Sequence, residues 1–212
     1  MMKKEKSTAV EKDAWVTLML WAIFSSEHAE HFIFKGGTSL SKAFNLIKRF
    51  SEDIDLGVDR EHLGFDGNLS KGQVRKLRRA CHTYVLSELS EMLKKRLAEY
   101  RLDDSLYEIA VENIQISDQN PETIQVNYKS LYEEVPYLPN RVLIEVSARS
   151  LIKPNQKANI QSLISQHYPD TLQKTFLEKL ILLHEEFQKP IENVRHIRMS
   201  RHFYDIRQFT RI

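Results

Sequence analysis

Apolar positions along the chain fall into two periods, and the change between them divides it. From Val10 to Ser26, Trp15, Leu18, Met19 and Ala22 recur at helical spacing, with Ser7 and Thr8 as capping candidates; this predicts a first helix. His31 to Lys35 reads as a short buried strand closed by Gly36-Gly37. Thr38 to Lys48 follows as a second helix, with Leu40, Phe44 and Ile47 on one face. Ile54, Leu56 and Val58 alternate with Asp53, Asp55 and Gly57, the pattern of a half-buried strand. Glu61 to Ser70, with Gly64, Gly67 and Asn68, is a loop. A long helix is expected from about Ser70 to Tyr100, with Leu86, Leu89, Leu93 and Leu97 on its buried stripe.

The period then shortens to two. Tyr107–Ile116 and Thr123–Leu131 are rich in β-branched and aromatic residues around the turn signal Asp118-Gln119-Asn120-Pro121, and Val142–Ser147 predicts a further strand. Helical patterns return over Ala158–Gln166, Thr171–Phe187 and a terminal segment from about Ser200. This order indicates an α+β domain, a small mixed β-sheet flanked by helices with a C-terminal helical region. The expected division is a core over 1–150 and a helical region over 151–212.

Composition narrows the class. At 212 residues, with 42% hydrophobic and 28% charged residues and only 6 Gly and 6 Pro, the chain is globular and not low-complexity. Its longest apolar stretch, Trp15 to Phe24, is interrupted by Thr17 and falls short of the roughly 20 residues that span a bilayer. The opening Met-Met-Lys-Lys-Glu-Lys lacks the order of a secretory signal, and the single Cys81 has no internal partner for a disulfide, so a cytoplasmic setting is expected. The net charge of +2 hides an uneven distribution: nine Lys/Arg against three Glu from Lys71 to Arg101, six against two acids from Lys189 onward, and eight acids against Lys129 between Asp103 and Val135. Two basic segments around an acidic one suit either a phosphate-attracting face or ordinary solvated surfaces.

Candidate chemistry gathers in four places. Lys35-Gly36-Gly37-Thr38-Ser39 joins a strand to a helix, where paired glycines admit a close ligand and helical N–H groups face an anion; a simple tight turn has the same signature. Asp53 and Asp55, two apart on a strand, project to one side, and two adjacent carboxylates suit a hard cation such as Mg²⁺, or an exposed polar face. Glu145 lies inside the apolar run Val142–Val146, where an acid is costly to bury without a partner or metal. Lys179 and Asp205 are, by spacing alone, ordinary charges on amphipathic helices.

Phe34-Lys-Gly-Gly-Thr-Ser-Leu-Ser-Lys-Ala-Phe44, continuing through Ile47-Lys-Arg-Phe-Ser-Glu-Asp-Ile-Asp-Leu56, resembles the signature of the AbiEii/AbiGii toxin nucleotidyltransferase family, part of the DNA polymerase β-like nucleotidyltransferase superfamily. Val10–Thr17, Arg141–Ser150, Thr175–Glu186 and Ser200–Asp205 match in order, so the resemblance covers nearly the whole chain. It implies a DNA polymerase β-like nucleotidyltransferase fold. It also implies transfer of a nucleotide from an NTP to an acceptor, RNA or tRNA being favoured and a protein hydroxyl the alternative, with pyrophosphate released. Mg²⁺ or Mn²⁺ would be the cofactor. The setting implied is the toxin half of a toxin–antitoxin or abortive-infection system, with a cognate antitoxin as partner. Lys35 to Ser39, Gly37 and Ser39 in particular, would take the nucleotide phosphates. Asp53, Asp55 and Glu145 would hold the metal, converging closely enough to share it, and Lys179 and Asp205 would complete the catalytic set. The family has Trp where this chain has Leu177, and commonly runs on past the Tyr204-Asp205 motif, which suggests a short or truncated member. A relative that binds nucleotide or RNA without turnover is the non-enzymatic alternative.

His28 and His31 are three apart with no third ligand at suitable spacing, and His184-Glu185-Glu186 lacks the second His of a zincin helix, so structural or surface roles are expected. Cys81 stands among Arg78, Arg79 and His82, which would lower its pKa, but a helix-face role is the simpler expectation.

Overall fold

The computed structural model describes residues 2–47, 50–132, 136–149 and 151–167. The predicted helices over Thr171–Phe187 and from Ser200, with Lys179 and Asp205, lie outside them.

Five strands form one sheet in the order β1-β2-β5-β4-β3, where β1 is Phe32–Lys35, β2 Ile54–Val58, β3 Tyr107–Val111, β4 Glu122–Tyr128 and β5 Arg141–Ser147. β2 and β5 run parallel, and the other neighbours are antiparallel. Ile54, Leu56 and Val58 of β2, Val142, Ile144 and Val146 of β5, and Ile124, Val126 and Tyr128 of β4 are all buried on one face. Against them pack α1 (Met2–Phe24) through Val16, Met19, Leu20 and Ile23, and the long helix after β2. The opposite face carries the alternate residues, among them Asp55 and Glu145.

The long helix begins at a capping box, in which Ser70 Oγ accepts from Gln73 N and Gln73 Oε1 from Ser70 N. It runs as α3 (Lys71–Tyr84), a π-helical turn (Val85–Leu89) and α4 (Ser90–Glu99). The π turn follows from the sequence. Leu77, Cys81, Val85, Leu89, Leu93 and Leu97 are spaced by four and all buried. At 3.6 residues per turn, each step of four drifts about 40° around an α-helix. A wider turn midway takes up that drift and keeps the whole row on the sheet.

Several expected boundaries shift. α1 starts at Met2, so Ser7 and Thr8 lie inside it and Thr8 is buried. α2 spans Gly36–Lys42, beginning at the glycines and stopping short of Lys48; Leu40 and Phe44, expected on one helix face, are 38% and 41% exposed. β3 ends at Val111 because the chain turns at Asn113, a positive-φ residue. Among the described residues α5 is Leu163–His167, beginning later than the expected Ala158. Leu86 is only partly buried, its place on the stripe taken by Val85.

Polar side chains on the first half of α1 fasten three distant segments. Glu11 accepts from Ser130 Oγ at 2.6 Å and Leu131 N at 2.9 Å. Lys12, 2% exposed, pairs with Glu52 and donates to Pro139 O at 2.9 Å. Asp13 pairs with Lys42 at 2.5 Å and accepts from Leu163 N at 2.7 Å. Breaking one partner of a buried ion pair costs about 3–5 kcal/mol, because the other charge is stranded. These contacts therefore fix the chain where it enters β2 and β5. No helix among the described residues is long and apolar enough to cross a membrane.

Candidate active site

Residues paired across a sheet project to the same face. Lys35 of β1 pairs with Asp55 of β2, and Asp55 with Glu145 of β5, so the three form one row across adjacent strands. Asp53, two residues before Asp55, lies on the same side. Glu145 and Asp55 come together only through the β2–β5 parallel pairing, which joins segments ninety residues apart.

The acids act on one another. Burial, then Glu52 and Asp55, raise the Asp53 pKa, against the lowering effects of Lys12 and Arg141. Burial, then Asp55 and Asp53, raise that of Glu145, and Lys35 opposes them. Asp53 and Glu145 thus hold their protons more tightly than usual, because ionisation adds charge to a partly desolvated, already negative patch. The three do not close to within 4.8 Å of one another as a group, so the expected tight convergence is a shared face of wider spacing. Hard oxygen donors repelling across such a gap can take a divalent cation whose remaining positions are filled by other oxygens.

The glycine turn sits directly against this row. Gly36 has φ +74°, and a β-carbon on it would lie 1.9 Å from Asp55 Oδ2. The absence of a side chain is what lets the β1–α2 backbone approach that carboxylate. Thr38 and Ser39 are buried. Thr38 Oγ1 donates to Asp53 O and lies 2.6 Å from Ser51 Oγ, which ties α2 to the segment leading into β2. Ser39 Oγ donates to Gly36 O at 2.8 Å. Both hydroxyl hydrogens are thus committed within the protein, and Thr38 sets the backbone from which Asp53 projects. A cavity of about 1490 Å³ opens at the β1 edge of the sheet, lined by Lys35, Gly36, Ser39, Trp21, Leu40 and Phe44 among others.

Two groups not singled out in the sequence belong to the setting. Lys12 bonds to Glu52 and Pro139, just ahead of the strands that carry the acids, and it reads in the sequence as a lysine on the apolar side of an amphipathic helix. Arg141 starts β5 on the acid face, with Nη1 3.3 Å from Gln125 Oε1 and a buried Nε that lacks a hydrogen bond within the described residues. The basic helix is placed differently. α3 and α4 cover the apolar face of the sheet, across from the acids. Arg75 pairs with Asp118 at 2.8 Å, Lys94 with Glu91 at 2.7 Å, and Arg96 with Glu99 at 2.5 Å. Cys81 is buried, and burial with nearby Glu122 pushes its pKa up to about 12; the neighbouring basic residues do not activate it.

Residues 19–211 match the family model described as nucleotidyl transferase AbiEii toxin, Type IV TA system. No curated protein and no solved structure matches the chain.

Proposed function

The chain belongs to the AbiEii nucleotidyl transferase toxin family of type IV toxin–antitoxin systems, and from that membership we propose that it moves a nucleotide from a nucleoside triphosphate to a hydroxyl acceptor, releasing pyrophosphate, at the row Lys35, Asp55, Glu145 with Asp53 beside it. The family is a nucleotidyltransferase and its system supplies a cognate antitoxin as partner. The finer reading rests on one observation: Asp55 and Glu145 from two parallel strands, with Asp53 just ahead of the first, gather directly against a glycine turn.

The donor set suits Mg²⁺ or Mn²⁺, since every ligand offered is a carboxylate oxygen and two of the acids already hold their protons more tightly through burial and then the charge of neighbouring acids. Asp53, Asp55 and Glu145 would hold the ion, which when bound polarises the phosphate and lowers the pKa of an attacking hydroxyl. Lys35 and Arg141 lie on the acid face and offset its charge. The Gly36-Gly37 backbone would face the triphosphate, with Thr38 and Ser39 holding that backbone in place. Lys179 and Asp205 are assigned by the family pattern to the leaving pyrophosphate and to orientation. The acceptor oxygen forms a bond to the α-phosphorus as the bond to the β-phosphate oxygen breaks. The electron pair departs on pyrophosphate, and the hydroxyl proton passes to a carboxylate of the row. The cavity at the β1 edge exceeds the volume that a nucleotide-sized ligand occupies.

RNA, the tRNA acceptor end above all, is the proposed acceptor, and the cytoplasm the proposed setting. The basic helix lies on the far face of the sheet from the acids, so its contribution is to hold RNA at a distance from the reacting atoms. Incubation with radiolabelled NTP, Mg²⁺ and total tRNA tests the reading. Covalent label on RNA supports it, label on protein redirects the acceptor, and retention without covalent label would leave a binding module in place of an enzyme.

A further inference from the structure

At the other end of the β1–β2 pair, three side chains from separate parts of the sequence meet. His28 lies in the turn between α1 and β1, His62 in the loop after β2, and Glu88 in the π turn of the long helix. One ligand atom from each lies within 4.8 Å of the other two, and among the described residues no other group of three His, Cys, Asp or Glu side chains does this. The acid row belongs to the Lys35–Asp55 end of the β1–β2 pair, whereas this cluster adjoins the Phe32–Val58 end. Three residues of strand separate them, roughly 10 Å.

We propose that His28, His62 and Glu88 form a zinc site with an open fourth position. Two imidazole nitrogens and one carboxylate oxygen are the donor set of three-ligand zinc sites, and too few hard oxygens for Mg²⁺. The surroundings orient the ligands. Tyr84 Oη lies 3.1 Å from His28 Nδ1. With an ion on Nε2, Nδ1 would carry the hydrogen and Tyr84 Oη would accept it, the arrangement in which a second partner fixes a ligating histidine. The His62 ring stacks on His31, with centroids 3.7 Å apart and planes at 16°, and meets the Tyr84 ring edge-on at 5.3 Å, so its plane is held from two sides. Glu88 reaches the cluster from the π turn, whose wider winding sets residues 85–89 at angles an unbroken α-helix would not give them. His62 and Glu88 are exposed and His28 is half-buried, which leaves room for water at the fourth position. The bound ion would cross-link the 59–70 loop to the helix and to the α1–β1 turn, closing loops of 34 and 26 residues between ligands.

The test uses the full chain, stripped with chelator and desalted, titrated calorimetrically with Zn²⁺ alone and followed with Co²⁺ for the intense visible bands of a tetrahedral site. One tight equivalent is expected. His62→Ala and Glu88→Gln should each weaken it at least roughly tenfold, and Tyr84→Phe by about tenfold as an outer partner. Asp53→Asn with Asp55→Asn should leave it unchanged, which separates this site from the proposed catalytic acids. Melting of the metal-free variants checks the fold, and both ligand substitutions are at exposed positions. Zinc binding undiminished in His62→Ala and Glu88→Gln, loss only in the Asp53/Asp55 variant, or no binding at micromolar zinc would each overturn the proposal.

Discussion

Gly36 and Asp55 occupy the same space: a β-carbon on the glycine would fall 1.9 Å from the aspartate Oδ2 and 2.5 Å from its Cγ. The glycine also has φ +74°, so a side chain there meets backbone strain and a collision at once. Gly64 has φ +84° with nothing near its absent β-carbon, and so isolates the backbone part.

Gly64→Ala is therefore expected to cost about 1 kcal/mol of stability with activity retained. Gly36→Ala should cost more and remove nucleotidyl transfer, by displacing the Asp55 carboxylate. In the double variant with Asp55→Gly, the excess cost should disappear while activity stays lost. Denaturant unfolding of the four proteins reads this as a coupling energy; strict additivity of the two substitutions would show that the contact carries no strain.

Metal and triphosphate should bind together, since repelling acids are relieved by a cation whose other ligands the triphosphate supplies. Thermal shift with NTP is expected to be larger in Mg²⁺ than in chelator, and the difference should vanish in Asp53→Asn with Asp55→Asn. Equal stabilisation by NTP in chelator and in Mg²⁺ counts against the site.

The raised pKa values of Asp53 and Glu145 carry a sign. The folded protein binds these protons more tightly than the unfolded chain, so their ionisation works against folding at neutral pH. That penalty disappears as pH falls through the raised values toward the ordinary ones of 3.8 and 4.5. In chelator, Asp53→Asn with Glu145→Gln should melt above the wild type at pH 7, and the gap should narrow as pH is lowered. Parallel melting curves across that range would show that the acids do not repel.

Cys81 should resist modification. A buried thiol with a pKa near 12 presents almost no thiolate at pH 8, so native protein should react with a disulfide reagent far more slowly than protein in denaturant. Stoichiometric reaction in the native state within seconds contradicts its placement.

Chemistry and docking should separate. Lys179→Ala is expected to abolish transfer with RNA affinity nearly unchanged, since the role proposed for this lysine is to stabilise the leaving pyrophosphate. Charge reversal at Arg75, Arg78 and Arg79 should weaken RNA binding, flatten its salt dependence and matter little at saturating RNA. Filter binding over a salt series, with a transfer assay beside it, distinguishes the two; arginine variants that bind RNA normally yet fail to transfer would reverse the division.

Much was legible in the chain itself because it is local. The alternation over Ile54 to Val58 places Asp53 and Asp55 on one side whatever surrounds them. The capping box at Ser70 and Gln73 marks where the long helix starts, and the steps of four from Leu77 to Leu97 specify its buried row. The family signature around Lys35–Leu56 is contiguous, so it too could be read directly.

What tertiary structure decided is which distant residues meet. The parallel pairing that sets Glu145 beside Asp55, and the packing of the basic helix behind the sheet, depend on non-local contacts that no spacing encodes. Leu40 and Phe44 have a helical pattern, yet α2 ends at Lys42 and both side chains stay exposed among the described residues. The histidines show the limit most clearly. Counted along the chain, His28 and His31 lack a third ligand at suitable spacing; in space His28 meets His62 and Glu88 instead, one from a loop and one from a π turn. Sequence fixes periodicity and therefore faces, whereas a site built from three segments exists only once the core has brought those faces together.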